Sequence, residues 1–183
     1  MGPTRMKFEV AGPFVLTRHT GKNLITKKSK ADLKELLKLW DSELDEACGC
    51  YVFAIKAAKG WRPYYAGQAL RRSILDESMN SSNMAKYNEA MGDRKAGTPV
   101  MFLLPWLTNG ATRYRKKTKK NAPGSRTLDF LENWLISVAY EKNRDLINIK
   151  KTKHLRDLHV VGVFNGKRGE GTTDSKQFNL MTR

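Results

Sequence analysis

The chain has 183 residues, a length typical of a single domain with short appendages, which argues against a two-domain enzyme. Lysine and arginine number 34 against 18 aspartates and glutamates, so the formal net charge is +16. Such an excess favours a polyanionic partner, because phosphate contacts release condensed counterions, and nucleic acid is the first candidate. A membrane surface would also attract positive charge, but neither an amphipathic basic helix nor a lipidation signal stands out.

The sequence indicates no membrane segment and no metal knuckle. No apolar run approaches the ~20 residues needed to span a bilayer, and the N-terminal stretch lacks the features of a signal peptide, so we expect a cytoplasmic protein. The two cysteines, Cys48 and Cys50, have no second pair or nearby histidine to complete a zinc site. A disulfide across one residue would be strained, so we predict two free thiols beside or within a strand.

The N-terminal part predicts short strands and one helix. Residues 5–18 mix large apolar side chains with a Gly-Pro turn, which suggests one or two short strands. Ser29 and Asp32 resemble a capping box, and apolar residues follow at helical spacing, namely Leu33, Leu36, Leu37, Trp40 and Leu44. An amphipathic helix over 30–46 is therefore expected.

The middle of the chain predicts a hairpin followed by helices and a strand. Strands over 49–55 and 64–69 would form a hairpin with a long connection. Helices are expected over 71–79 and 84–91, and a buried strand over 98–106. The order of elements indicates an α+β fold.

Residues 108–126 form a basic loop that contains no acid. We interpret it as either a solvated loop or a phosphate-contacting arm. It has seven basic residues, namely Arg113, Arg115, Lys116, Lys117, Lys119, Lys120 and Arg126.

The remainder of the chain predicts one long helix and less regular structure. A helix is expected over 127–143, entered through Ser125 or Thr127 as cap, followed by an extended piece over 147–149 and a strand over 160–164. The tail, 167–183, is polar and glycine-rich.

Four segments of the chain together resemble those of a known protein family. Gly49-Cys50-Tyr51 is followed fourteen residues later by Tyr65-Ala66-Gly67, Glu132 lies in the predicted helix, and Asn148 lies in Leu-Ile-Asn-Ile. In this order they resemble the two signature strands, the glutamate helix and the asparagine segment of the GIY-YIG endonuclease superfamily. The resemblance covers roughly residues 49–150.

The resemblance implies a fold and a chemistry. The fold would be a small, mainly antiparallel central sheet flanked by helices over 49–150, with an N-terminal strand and helix extension over 1–48 and a C-terminal strand and polar tail over 151–183. The activity would be hydrolysis of DNA phosphodiester bonds with Mg²⁺ or Mn²⁺, and the partner would be DNA or RNA. Glu132 would bind the metal, Tyr51 and Tyr65 would position or deprotonate water, and Asn148 would complete the site.

The chain departs from the family at one catalytic position. The family carries an arginine about eight residues after the second glycine, where this chain has Leu75. Arg71, Arg72 or Lys86 could supply the cation instead, and we expect Arg72, because Arg71 would lie nearer the start of the predicted helix, where a cation is disfavoured. The remaining cations would contact nucleic acid, namely Arg71, Lys86, Arg113, Arg115, Lys116, Lys117, Lys119 and Lys120.

Purely structural roles remain open for these residues. Tyr51 could be a half-buried strand aromatic, Glu132 a solvated helix residue, and both arginines ordinary surface charges. The alternative function is therefore a non-catalytic nucleic-acid-binding protein on the same fold. A third, an RNA-associated basic protein unrelated to nucleases, would require aromatic and basic stacking platforms that the sequence does not show.

Overall fold

The computed structural model is an α+β protein and describes residues 6–19, 21, 23–58, 60–92, 97–108, 113–117, 124–165 and 169–182. The chain divides into two compact units, Met1–Ile147 and Asn148–Arg183. Both signature segments and the glutamate helix belong to the first unit. Among the described residues, no helix combines the length and apolarity needed to cross a bilayer.

The first unit is built on an antiparallel sheet. Its strands are β1 (Lys7–Phe8), β2 (Ala11–Val15), β3 (Gly49–Ala57), β4 (Gly60–Ala69) and β5 (Thr98–Leu107). Strand β3 is central between β4 and β5, and both N-terminal strands pair with β5. The stretch 1–48, expected as an extension, thus contributes two strands to this sheet.

Helices cover both faces of the sheet. The face that carries Phe53 packs against the helices before β5, and its ring stacks on Tyr87 with centroids 4.2 Å apart. The opposite face packs against the long helix that follows β5. The first unit contains α1 (Lys27–Trp40), α2 (Ile74–Ser78), α3 (Ser81–Met91) and α4 (Ser125–Lys142), and the second contains α5 (Ile149–Asp157) and α6 (Thr173–Thr182).

Helix α1 begins and ends earlier than the predicted 30–46. Thr26 is the N-cap and forms a capping box with Ser29, so the helix begins at Lys27. It ends at Trp40, where the acidic residues from Asp41 onward would oppose the helix dipole. Residues Leu44–Glu46 form a separate 3₁₀ turn.

The predicted long connection in the hairpin is wrong, because both strands continue into it. Lys56 pairs with Trp61, and its ammonium lies 5.1 Å from the centre of that ring. Pro63 cannot donate a hydrogen bond to a neighbouring strand, and the register shifts beside it, between Phe53 and Ala54.

The predicted helix over 71–79 is wrong in its first turn. Ser73 is the N-cap of α2, and its hydroxyl accepts a hydrogen bond from the backbone of Asp76. Arg71 and Arg72 therefore lie in a bend before the helix. The cause is local: serine favours the N-cap, and the acids Asp76 and Glu77 suit the first turn better than arginines do.

The second unit also differs from expectation. Helix α5 begins at Ile149, where an extended piece was predicted, and 160–164 is a turn closed by one bridge between Val160 and Phe164 rather than a strand. The tail contains helix α6, which Thr172 caps by accepting from the backbone of Ser175 at 3.1 Å.

Other predictions are confirmed. The buried strand over 98–106 is β5. The helix over 127–143 is α4, which begins at Ser125, two residues earlier than predicted, and ends at Lys142. The predicted cap of α4 is wrong, because the N-cap is Gly124 rather than Ser125 or Thr127. Cys48 and Cys50 are buried thiols that form no disulfide; Cys48 precedes β3 and Cys50 lies within it.

Candidate active site

Two signature tyrosines meet on one face of the sheet. Tyr51 lies opposite Gly67, and Phe53 lies opposite Tyr65. Because alternate residues of a strand share a face, Tyr51 and Tyr65 are diagonal neighbours. Their ring centroids are 6.2 Å apart. The pairing of β3 with β4 therefore brings the last residue of one signature beside the first residue of the other.

Tyr51 is the buried member of this pair. Its side chain is 1% exposed, and its hydroxyl accepts a hydrogen bond of 2.9 Å from the amide of Asn83. Burial, reinforced by Tyr87, Tyr65 and Glu77, raises the pKa of Tyr51 far above its ordinary value of 10.0. The raised pKa therefore favours the neutral phenol of Tyr51 at physiological pH.

Tyr65 is half-buried and has a cation beside its hydroxyl. The ammonium of Lys86 donates to the Tyr65 hydroxyl at 3.3 Å and lies 4.5 Å from the ring centre. It also donates to the side-chain oxygen of Asn83 at 3.2 Å. Lys86 and Asn83 thus link the two tyrosines through hydrogen bonds.

Asn83 was missed by the sequence analysis. Its amide donates both to Tyr51 and to the backbone oxygen of Glu77, at 2.7 Å, so the buried side chain holds α2, α3 and β3 together. The available signal was its position three residues before Lys86, which places both side chains on one face of a helix.

Arg71 and Arg72 lie in the bend that precedes α2 and line a cavity at the end of β4. The Arg72 guanidinium is 3.9 Å from the carboxylate of Glu77 and is largely exposed. Because both arginines precede α2, the helical geometry used to rank Arg72 above Arg71 does not hold. The cation in contact with a signature tyrosine is Lys86.

Glu132 lies on the helix that covers the other face of the sheet. Helix α4 contacts that face where Cys50 approaches the backbone oxygen of Leu128 and where the Gln68 amide donates to Asp129. Cys50 and Gln68 pair with each other and directly neighbour Tyr51 and Gly67, so they point away from the tyrosines. Glu132 itself is only 7% exposed, which argues against the alternative of a solvated helix glutamate.

Helix α4 and strand β4 carry oxygen-bearing side chains of the kind that magnesium and manganese bind, on the face of the sheet opposite the tyrosines. The side-chain oxygen of Gln68 is buried and has no hydrogen-bond partner in the described part of the chain. Its amide binds Asp129, which lies one helical turn before Glu132. Carboxylate and amide oxygens are the ligands these ions prefer. Within the described residues, no group of three or more His, Cys, Asp or Glu side chains could hold a metal ion.

Asn148 belongs to the second unit. Its carbonyl oxygen accepts hydrogen bonds from the backbone of Thr152 at 3.0 Å and from the Thr152 hydroxyl at 2.8 Å. These contacts describe the first turn of α5. They assign the main chain of Asn148 a structural role within that unit.

The basic loop is described at both of its ends. Arg113 and Lys117 are exposed, and the Arg115 guanidinium lies 4.3 Å from the centre of the Trp106 ring. Lys116 pairs with Glu46 at 2.8 Å, and this hydrogen bond and charge raise the pKa of Lys116. The predicted contacts Lys119 and Lys120 lie outside the described residues.

A half-buried phenol beside an ammonium can position a water and bind an anionic oxygen. Comparison with models of protein families, with curated proteins and with solved structures gives no match. The function of this site is therefore inferred from its own residues.

Proposed function

We propose that this protein is a DNA endonuclease of the GIY-YIG type that hydrolyses phosphodiester bonds with Mg²⁺ or Mn²⁺. The observation that carries the proposal is the contact of Lys86 with the Tyr65 hydroxyl, next to Tyr51 on the same face. The two segments that resemble the signatures of this family lie on adjacent antiparallel strands. The net charge of +16 supports a nucleic-acid substrate.

The residues of the tyrosine face account for two needs of the reaction. Phosphodiester hydrolysis requires a positioned water and stabilisation of the charge that develops on the phosphate. The Tyr65 hydroxyl can accept a hydrogen bond from the attacking water. The Lys86 ammonium, already directed at that hydroxyl, can bind a non-bridging phosphate oxygen. Tyr51, a neutral phenol fixed by Asn83, would position its neighbours rather than take a proton.

The third need, help for the departing oxygen, is assigned to the metal. Glu132 and the side-chain oxygen of Gln68 would hold it, and when bound it would supply Lewis-acid stabilisation. A cavity of about 780 Å³ at the end of β4 is lined from both faces of the sheet, by Glu77 on one side and by Gln68 and Asp129 on the other. A phosphate in this cavity would lie beside Gln68, Arg71 and Arg126.

A non-catalytic nucleic-acid-binding protein on the same fold is the second candidate. It is favoured by the burial and raised pKa of Tyr51, and by the position of Glu132 on the face opposite the tyrosines. Binding of phosphates requires only the exposed cations. Such a protein would bind DNA with strong salt dependence and leave it intact.

Cleavage of supercoiled plasmid with Mg²⁺, Mn²⁺ or EDTA separates the two functions. We expect nicked or linear plasmid only when metal is present, and a large loss of rate in Tyr65→Phe, which removes the hydroxyl and keeps the ring. Tyr64→Phe is the matched control, because it removes the hydroxyl of the neighbouring tyrosine on β4 and leaves the contact of Lys86 with Tyr65 in place. Plasmid that is bound but never cut would establish the second candidate.

A further inference from the structure

Two adjacent cavities at the end of β4 share Arg71 and Arg72. The larger, of about 780 Å³, also contacts Arg126 at the start of α4. The smaller, of about 240 Å³, contacts Lys116 and Lys117. The two arginines therefore form a ridge with a basic depression on either side.

Both ends of the basic loop are held near this ridge by Trp106. The backbone of Arg115 donates to the Trp106 oxygen at 2.7 Å, and its guanidinium covers the ring. The backbone of Gly124 packs directly against the same ring, with φ +90°, a conformation that glycine adopts without strain. The segments 113–117 and 124–126 are therefore held close to each other by their contacts with Trp106.

Several cations of this surface are already paired. Arg72 faces Glu77 at 3.9 Å, and Lys116 binds Glu46 at 2.8 Å. Asp76, which lines the smaller cavity, is bound by Lys30 at 2.7 Å. These pairs account for most of the acids in the two cavities, so little negative charge is left to oppose an incoming anion.

Three exposed cations, Arg126, Arg71 and Lys117, make no ion pair with any carboxylate that the structure describes. They follow one another across the two cavities, with Arg71 in the middle because it lines both. Spread over two depressions, they suit an extended polyanion better than a single small anion. We call them the three-cation track.

The start of α4 adds a second reason for an anion in the larger cavity. Its N-cap is Gly124, which has no side chain to satisfy the first N–H groups, and its first turn contains no acid. Helix N-termini of this kind attract phosphate through their N–H groups and the helix dipole. Ser125 and Arg126 of this turn line the cavity directly.

We propose that the three-cation track binds the sugar-phosphate backbone of a nucleic acid that crosses the end of β4. Arg126 and Lys117 contact phosphates on either side of Arg71, whose guanidinium can bind a phosphate through two N–H groups. The inference rests on the proposed function in taking nucleic acid as the ligand, and it adds where the backbone lies. It also joins two sequence features, Arg71 and the basic loop, into one surface.

The test compares two triple variants with equal charge change. The track variant is Arg71→Gln, Lys117→Gln and Arg126→Gln. The control is Lys34→Gln, Lys38→Gln and Lys142→Gln, exposed cations of the same unit that line neither cavity. Affinity for a fluorescent DNA duplex is measured by anisotropy across a salt series, and thermal melting confirms that both variants are folded.

The track variant should show a slope of log K against log salt that is shallower by about 0.9 for each lost contact, hence by about 2.7 in all. The control should keep a slope close to the wild type. Equal slopes and affinities for the two variants would overturn the inference.

Plasmid cleavage, measured in parallel, separates this inference from the proposed function. If the wild type never cuts and the track variant shows the expected shallower slope, the proposed endonuclease function is wrong and the three-cation track is supported. If the wild type cuts and the two variants bind DNA alike, the three-cation track is wrong and the endonuclease function is supported.

Discussion

The phenol of Tyr51 lies directly over the backbone of Gly67. A methyl group at Gly67 would stand 2.5 Å from the Tyr51 oxygen and 2.6 Å from the ring carbon that bears it. The two residues are opposite each other in the register of β3 and β4. The glycine of the second signature is therefore required by the tyrosine of the first, because only a residue without a side chain leaves room for the ring.

This relationship predicts the effect of Gly67→Ala. The added methyl must displace a fully buried ring, and such overpacking costs about 1–3 kcal/mol. Urea unfolding measures the loss, and Gly21→Ala serves as the control, since a methyl at Gly21 would meet nothing within 4 Å. Equal stability of the two variants would show that Tyr51 moves aside at no cost.

Asn83→Ala should destabilise the protein through its buried hydrogen bonds. The change removes the donor to Tyr51 and to the Glu77 backbone, and the acceptor for Lys86. Unsatisfied buried polar groups cost about 1–3 kcal/mol. Asn133→Ala, at an exposed position on α4, should change the free energy of unfolding by less than about 0.5 kcal/mol. A comparable effect at both positions would argue against the network.

Lys86, not Arg72, should be the catalytic cation if the protein is an endonuclease. Lys86→Met should lower the cleavage rate about 100-fold or more with little change in DNA affinity, as expected for a group that stabilises developing charge. Arg72→Met should leave the rate within a few-fold, because its guanidinium faces Glu77. A larger loss of rate at Arg72 would restore the expectation from the sequence.

Glu132→Gln should abolish metal-dependent cleavage and weaken the binding of Mn²⁺. Electron paramagnetic resonance measures the Mn²⁺ binding. The substitution keeps the size of the buried side chain and removes its charge, so folding should be retained. Glu141→Gln, exposed near the end of the same helix, is the control and should bind Mn²⁺ as the wild type does. Undiminished Mn²⁺ binding by Glu132→Gln would place the metal elsewhere.

Stability should fall at alkaline pH because of two buried tyrosines. Burial raises the pKa of both Tyr51 and Tyr87 in the folded chain, whereas each ionises near 10 when unfolded. Below pH 10 the contribution of the two tyrosines to the free energy of unfolding is fully present. Above it the unfolded state releases protons that the folded state retains, so the free energy of unfolding falls by up to about 1.4 kcal/mol per pH unit for each tyrosine.

Tyr87→Phe provides the measurement. Urea unfolding between about pH 10 and 11.5 should give a slope of free energy against pH that is less steep than the wild-type slope by about 1.4 kcal/mol per unit. The hydroxyl of Tyr87 donates only to the Ser78 backbone, at 2.8 Å, so the variant should fold. Identical slopes would mean that Tyr87 is exposed to titration in the native state.

The sequence by itself determined the elements whose signal is local. The β-rich runs over 49–55 and 64–69 predicted β3 and β4, and apolar spacing predicted α4, although its buried side includes Glu132 and Ile136 rather than Leu135. These features depend on side-chain periodicity within a few residues, which the chain shows directly. The bend at Arg71 and Arg72 was also encoded locally, by Ser73 as a cap, but the longer helical pattern concealed it.

Only the tertiary structure decided which groups meet. The contact of Lys86 with Tyr65 depends on how α3 packs against the hairpin, and the burial of Glu132 depends on which face of the sheet α4 covers. The convergence of the basic loop on Arg71 depends on Trp106, which anchors both of its ends. None of these three contacts leaves a periodic signal in the sequence, because each is set by packing between residues that are far apart in the chain. The face of the sheet that a helix covers is decided by the summed burial of many side chains.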